Sequence, residues 1–517
     1  MLKNWDYTRK SYINWLSNTT LRNQFFKRIK FEDLSLWWIT NLMNKDNRNN
    51  TIWYSRLNKK LNNKKENKVI RISYLKFLLV FLKKLISTII SNVLIRIFLP
   101  NNIKFNNNKD CFYTLVNNLV IYKNKYLDRQ YGLTTIKKKN EKNYIVEVPS
   151  GILLIKNIFQ IRKKLKRSHV RCFTLNSQYK TKDIIYVYYK TLVLLVKTIK
   201  ILKKKNYFII ANKDCRKILE PELISSYFGT IQDQILKGIA LKRSLMQIKP
   251  KNFITYFCFY PEARSQYYFA RASKVKNIVN INHAIYTKQN IFWNFSSKDF
   301  SSTDSSKFSP RPDIFICKGD QDYKELKKLF KTQKLYHVGC LKTDIRNFVI
   351  KNYLKVKRKN SNKIITVLSG ETDYKSITKV LNQCKLEDYT ILIEPHPLMK
   401  NKTIKYFEKK LIHNFKLGNK ISREELFRIS NFILFGDTQL GTELAIQNYN
   451  VIRIYEKSFI PQYEVNNKFP FACDGNKLQK LLKQKKLKFQ AKSLERDYFY
   501  KYDFKASNRF QNILDKL

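Results

Sequence analysis

The residues best suited to chemistry gather at the ends of two apolar runs. Ile391-Leu392-Ile393 stops at Glu394-Pro395-His396-Pro397, and Phe432-Ile433-Leu434-Phe435 stops at Gly436-Asp437-Thr438, with Gly441, Thr442 and Glu443 just beyond. An apolar run that ends abruptly in polar, small or proline residues is how a buried parallel strand delivers its C-terminal end to a cleft. In open α/β sheets, ligands bind along that edge. An imidazole there can hydrogen-bond with a nucleotide phosphate, or pair with it when protonated, and Pro395 and Pro397 restrict the turn that carries His396. The alternative for His396 is a structural hydrogen bond. Thr438, Gly441 and Thr442 precede a helix expected to begin near Glu443, which would turn hydroxyls and unbonded amides toward a phosphate. Ser369, Gly370 and Glu371 follow the run Ile364 to Leu368 and are placed to line a pyrophosphate.

A second set precedes these. Glu262 follows the run Phe253 to Phe259, and His283 ends the run Ile278 to His283, so both belong to one sheet edge. A transfer to a hydroxyl needs a base, and a His titrating near neutrality or a desolvated Glu can supply it. The alternative for both is a structural hydrogen bond between sheet and helix. Arg264 is placed to pair with a phosphate or with Glu262. His337, in the turn Tyr336 to Lys342 near the domain exchange, and His169 and His413, among Lys and polar residues, read as bystanders.

The elements that must hold these residues are strands alternating with helices, the pattern of βαβ units and a parallel sheet. One series runs through Tyr144–Val148, Tyr207–Ile210, Phe253–Phe259, Ile278–His283 and Asp313–Cys317. A charged stretch from Lys351 to Lys363 separates it from a second series at Ile364–Leu368, Tyr389–Ile393, Phe432–Phe435 and Asn450–Tyr455. The Ser- and Pro-rich segment Ser301 to Pro312 reads as a loop. The expected organisation is an N-terminal helical region over 1–105, one Rossmann-like domain over 106–350, a second over 362–490, and a C-terminal helical segment over 491–517 that crosses back. Near the start, Phe31 to Thr40 has the apolar spacing of a helix capped by Asp33 or Ser35, with Trp37 and Trp38 as core or surface anchors.

At 517 residues the chain exceeds one ordinary core, and 44% hydrophobic with 14% aromatic residues argues against global disorder. The net charge of +62 implies affinity for polyanions. Lys, Asn, Ile, Phe and Tyr are over-used together, however, and all have A/T-rich codons, so genomic base bias is an alternative source of much of the excess. Basic residues are spread throughout, without the isolated arm of a nucleic-acid binder, and no specific nucleic-acid partner is expected. Eight scattered cysteines with no CxxC pair argue against zinc and against a disulfide framework, and fit a cytoplasmic chain. Cys258 and Cys317 read as small core residues. The start lacks the apolar region of a secretory signal. Residues 69–99 are the most hydrophobic stretch, interrupted by Lys76, Lys83, Lys84 and Arg96. That interruption argues against spanning, and favours either a basic amphipathic helix on an anionic membrane surface or a buried helical hairpin. The segment Thr191 to Lys205 reads equally as core helix or membrane face.

Taken in order, these motifs resemble a known group. Glu394 to Pro397 followed by Gly436 to Ala445 resembles the donor half of GT-B glycosyltransferases that build bacterial surface polysaccharides, an arrangement shared by capsule sialyl- and Kdo-transferases and CDP-glycerol glycerophosphotransferases. Leu34 to Trp38, Asp128 to Gly132, Tyr260 to Ala270 and His283 resemble a family of predicted surface carbohydrate biosynthesis proteins. The resemblance covers roughly residues 30 to 515. It implies a GT-B-like α/β fold, with two Rossmann-like domains facing a central cleft behind the N-terminal extension. It also implies a cytoplasmic, membrane-peripheral glycosyltransferase that takes a nucleotide-sugar donor and a glycan or lipid-linked acceptor, with inversion by a single base. Glu443 matches the acid that holds the donor ribose, with a helix N-terminal charge as the alternative, and His283 matches the strand-end catalytic base. Thr438-Gln439 departs from the Ser pair of related enzymes. No DxD pair stands at a strand end, and GT-B enzymes generally stabilise the leaving nucleotide with protein donors, so neither metal nor cofactor is expected. Alternatives are glycerophosphotransferase-like polymer synthesis, a nucleotide-sugar epimerase, and a non-catalytic basic protein that binds nucleic acid or membrane.

Overall fold

Two parallel sheets, their strands labelled β1 to β13 in chain order, organise the protein. The computed structural model describes residues 2–43, 51–63, 74–99, 110–256, 260–282, 310–330, 332–350, 363–396, 399–418, 422–457, 459, 468–484, 487–488 and 490–517. The first sheet contains β1 (Asp110–Leu115), β2 (Lys142–Glu147), β3 (Arg171–Thr174), β4 (Asn252–Thr255), β5 (Asn277–Ile281), β6 (Ile314–Cys317) and β7 (Lys334–His337), in the order 3-2-1-4-5-6-7. The second contains β8 (Lys363–Leu368), β9 (Tyr389–Glu394), β10 (Phe415–Leu417), β11 (Phe432–Phe435), β12 (Val451–Ile454) and β13 (Phe471–Ala472), in the order 10-9-8-11-12-13. Every adjacent pair in both sheets is parallel. Each sheet therefore reverses direction once, between β1 and β4 and between β8 and β11, and ligands bind at such switch points. β4, β6, β11 and β12 are buried at every residue, as strands covered on both faces must be.

The N-terminal region belongs to the first domain. Trp15, Phe25, Trp37 and Trp38 share one core with Tyr113, Phe253 and Tyr267, and the Trp15 indole donates to the Tyr207 carbonyl at 3.0 Å. The Trp pair is thus core. Phe31 to Thr40 is not the expected helix: a two-residue ribbon pairs Lys30–Phe31 with Leu34–Ser35, followed by a single 3-10 turn at Leu36–Ile39 without a side-chain cap. Tyr207–Ile210 also departs from expectation. Its Ile209 and Ile210 pair antiparallel with Lys213 and Asp214 in a separate ribbon that follows the helix Thr181–Lys204. That helix is a core helix, burying Leu194, Leu195, Ile201 and Leu202. β1, β3, β7, β10 and β13 had no counterpart among the expected strands; all but β1 are short or half-exposed edge-side strands whose apolar signal is weak. Pro397, Cys258, Ser301 to Ser309 and Lys351 to Asn362 lie outside the described residues.

Within the 69–99 segment, whose residues 69–73 lie outside the described residues, Tyr74–Phe98 is one helix and not a hairpin. By length and composition Phe77–Phe98 could cross a membrane, despite Lys83, Lys84 and Arg96. One side is held by protein, burying Phe81, Ser91, Asn92 and Ile95, while Leu78, Leu79, Leu82, Ile86, Ile90 and Val93 are exposed.

The last elements of the chain join the two domains. The helix Ala491–Phe499 packs on Asp320–Leu329 of the first domain and on Gln439–Ile446 of the second. Helix Ala506–Lys516 lies on the first domain, where the Ser507 amide donates to Asp344 Oδ2 at 2.5 Å and Ser507 Oγ accepts from the Leu133 amide at 2.9 Å. The contact is close enough to require Gly319, since a Cβ there would stand 2.3 Å from the Asp497 carbonyl oxygen. Replacing Gly319 with Ala should therefore lower the melting temperature by a few degrees, for a cost of about 1–3 kcal/mol, and hasten proteolytic release of the C-terminal segment. Circular dichroism melts with limited proteolysis measure this; an unchanged melt and digestion pattern would refute the tight docking.

Candidate functional site

The switch point of the second sheet opens onto a cleft of about 310 Å³ between the domains. From the second domain it is lined by Leu368 and Ser369 after β8, Glu394 to His396 after β9, Arg423, and Thr438, Gln439, Leu440 and Glu443 after β11. Arg129 and Lys342 reach it from the first domain. The sequence-predicted His396, Ser369, Thr438 and Glu443 are thereby brought together. Glu371 adjoins them, with its Oε1 3.8 Å from His396 Nε2.

Local backbone chemistry explains the arrangement. Ser369 is buried, its amide donates to the Glu394 carbonyl at 3.3 Å, and its Oγ has no hydrogen-bond partner although it lines the cleft. A buried hydroxyl without a partner costs free energy unless a ligand or water completes it. Glu394 accepts from Arg423 Nε at 2.9 Å, which fixes the guanidinium at the cleft wall. Glu443 is almost fully buried and accepts from Gln439 Nε2 at 3.0 Å.

Several expected contacts are spent internally. The helix after β11 begins at Gln439, earlier than expected, because Thr438 is its N-cap and accepts from the Leu440 amide at 3.4 Å. Glu443 therefore sits one turn inside the helix. Gly441 faces the sheet, where a Cβ would come within 2.3 Å of the Phe435 ring, and Thr442 is buried; neither lines the cleft. The Gly370 amide donates to Asp373 Oδ1 at 2.7 Å, and the Asp437 amide to Asp373 Oδ2 at 2.5 Å. Asp373 was not singled out from sequence, nor was Arg453, a buried residue whose Nε donates to the Gly436 carbonyl at 3.1 Å and whose Nη2 lies 3.4 Å from Asp437 Oδ1. Together they clamp the loops at both sides of the switch point. Arg129, Lys342, Arg423 and Gln439 were likewise not named as site residues; Arg129, within the quoted Asp128 to Gly132 motif, and Gln439, within Gly436 to Ala445, carried a signal.

Glu262 is not among the residues lining this cleft. It begins the helix Pro261–Ala272, accepts from Gln234 Nε2 at 3.1 Å, and has its carboxyl pushed up by burial, with Lys237 opposing. His283 lies outside the described residues. Arg264 is buried over the Trp38 ring, its guanidinium carbon 5.1 Å from the centroid. His337 lies between the rings of Tyr323 and Tyr500, and His169 and His413 each bond a backbone carbonyl at 3.0 Å. Among the described residues, no group of three or more His, Cys, Asp and Glu is assembled to hold a metal.

Two doubly wound domains sharing a cleft at their strand ends make the fold GT-B-like. No protein-family model and no curated protein sequence matches the chain. Among solved structures, S. aureus MnaA with UDP is similar at 13% identity over 79% of this chain and 96% of that one, with a TM-score of 0.42. UDP-GlcNAc 2-epimerase from Neisseria meningitidis bound to UDP-GlcNAc is similar at 11% identity over 79% and 100%, with a TM-score of 0.42. The wall teichoic acid polymerase TagF is similar at 11% identity over 86% and 98%, with a TM-score of 0.39.

Two buried carboxyls beside the cleft make stability depend on pH. Burial raises Asp128 to about 7, against hydrogen bonds from Thr114 and the Gln130 amide, and raises Asp373 to about 7, with Asp437 adding repulsion. A folded-state value above the unfolded one stabilises the fold fully below the unfolded value, near 4, and that contribution is lost as pH climbs through 7. The melting temperature should therefore fall between pH 5 and 8, and Asp128→Asn, neutral throughout, should lessen the slope. A variant melting profile parallel to the wild type would contradict this.

Proposed function

We propose that the protein is a GT-B-type glycosyltransferase that moves a sugar from a nucleotide-activated donor to a surface glycan or lipid-linked acceptor. The observation that carries this reading is the cleft at the second switch point. It combines three cationic side chains, Arg129, Lys342 and Arg423, with His396, the unpartnered Ser369 hydroxyl and the buried acid Glu443. A diphosphate requires clustered cations and hydroxyl donors, and a ribose requires an acceptor for its hydroxyls. Arg129 and Lys342 come from the opposite domain, so a bound diphosphate would draw the domains together.

In the transfer, the acceptor oxygen forms a bond to the sugar carbon as the bond from that carbon to the donor phosphate breaks. The electron pair leaves with the nucleotide, whose charge the cationic set takes up, and the hydroxyl proton passes to a base. The first domain supplies the base in this reading, with Glu262 and His283 as its candidates. Burial of Glu262 favours the proton-accepting role, because a raised carboxyl is a stronger base.

Purified protein should melt several degrees higher in the presence of CMP, CDP or UDP, by preferential binding to the folded state. Ser369→Ala and Arg423→Ala should each weaken that shift, corresponding to about ten-fold in affinity. If no nucleotide moves the melting temperature, the donor-site reading fails.

The reading includes a cytoplasmic protein peripheral to an anionic membrane. The exposed apolar side of Tyr74–Phe98 continues onto helix Ile152–Lys166, where Ile152, Leu153, Ile155 and Phe159 are exposed, and the Phe98 and Phe159 rings lie 6.5 Å apart. Lys83 and Lys156 are exposed along the same helices, and cations beside apolar side chains suit anionic headgroups. Vesicles containing phosphatidylglycerol should co-sediment the protein more strongly than phosphatidylcholine vesicles. The triple replacement of Leu79, Ile86 and Val93 by Ser should reduce that binding by about ten-fold or more; binding indifferent to both changes would remove the membrane from the reading.

A further inference from the structure

A second cleft, of about 260 Å³, lies between the inner side of the Tyr74–Phe98 helix and the C-terminal end of β2. We propose that it binds the saccharide head of an amphipathic glycan carrier. Identifying that ligand as the acceptor rests on the transferase reading above; the carbohydrate site itself does not.

The chemistry of the walls selects the ligand. The helix contributes Lys84, Ser87, Thr88, Ser91 and Asn92, and the opposite wall contributes Glu147, Asp233 and Lys237. Lys237 Nζ is held between Glu147 Oε1 at 2.8 Å and Asp233 Oδ2 at 2.5 Å. Two cations thus face two carboxylates, and the site has no surplus positive charge for a phosphate. Its remaining capacity is for neutral hydroxyls. Asn92 is buried, and its Nδ2 donates to the Tyr179 carbonyl at 3.2 Å, while its Oδ1 has no hydrogen-bond partner and lines the cleft. Carboxylates on one side, with an amide oxygen and serine and threonine hydroxyls on the helix side, are the acceptors and donors a sugar ring needs.

Position selects the carrier. The helix whose polar side forms this wall turns Leu79, Leu82, Ile86, Ile90 and Val93 outward, so a polar head and an apolar tail are served by opposite sides of one element. A chain of hydrogen bonds in the first domain runs from beside this cleft to Arg129 at the donor site. Glu147 lies in register with Leu115, whose amide donates to Tyr256 Oη at 3.2 Å. Asn118 Nδ2 donates to the same oxygen at 2.6 Å and Asn118 Oδ1 accepts from Arg129 Nε at 3.2 Å, and Arg129 lines the donor cleft. Gln234, the partner of Glu262, lies one turn before Lys237 on the helix Thr230–Ile248, which places a candidate base next to the saccharide site.

The probes are dodecyl maltoside below its critical micelle concentration and dodecylphosphocholine, which carries the same tail, titrated calorimetrically into the full chain without nucleotide. The maltoside should bind at least about ten-fold more tightly. Ser87→Phe, which fills the cleft from a half-buried position, and Asn92→Leu should each erase that preference while leaving phosphocholine binding unchanged. Equal binding of the two detergents, or a preference that survives Ser87→Phe, would overturn the site and leave only an apolar surface. A maltoside preference without any nucleotide-induced melting shift would keep the carbohydrate site and discard the transferase reading, so the two failures are distinguishable.

Discussion

The cleft depends on how closely the end of the chain can lie against the first domain. Two sheets joined by a single charged stretch have no intrinsic reason to present their strand ends to each other. The helix Ala491–Phe499 supplies one by touching both, and its fit rests on backbone contact at Gly319 and on Phe499, whose ring lies under the buried Lys318 ammonium at 4.3 Å. A cation over an aromatic face in a dry setting tolerates little displacement. The opposition of Arg129 and Lys342 to Ser369 and His396 follows from that docking.

Within the second domain, one repeated rule positions the chemistry. The order 10-9-8-11-12-13 leaves a gap between the loops after β8 and β11, and Asp373 fills it by accepting an amide from each. Arg453 braces the second loop from beneath. What lines the cleft beside these internal bonds is the unpartnered Ser369 hydroxyl, together with His396 and with Glu443 brought round by one helical turn. Rigidity of the loops and availability of the functional groups have the same origin.

The strands of the second domain were legible because β8, β9, β11 and β12 are apolar runs bounded by polar stops, and the residues at those stops did assemble. Arg423 and Lys342 were not legible, since among so many Lys and Arg nothing local distinguishes a cleft cation from a solvated one. The helix start was misplaced by one turn because Thr438 was read as a ligand hydroxyl when its geometry makes it a cap. Asp373 escaped notice for a related reason: its role is to accept backbone amides from residues distant in sequence, and no spacing rule encodes that. The ribbon at Ile209–Asp214 shows the converse error, in which a strong apolar signal marks burial without membership of the main sheet.

The Asp373 clamp also bears on how the sequence can drift. A Cβ at Gly436 would stand 2.3 Å from Asp373 Oδ2, and one at Gly370 would stand 2.9 Å from the same oxygen. Neither glycine can acquire a side chain while the aspartate stays, and the aspartate cannot leave without stranding two amides. The three positions form an epistatic set: each is costly to change alone, and an alternative solution is reachable only through intermediates less fit than either end. In a chain this rich in residues with A/T-rich codons, such a set is where the two glycines, whose codons begin with GG, would be expected to persist longest.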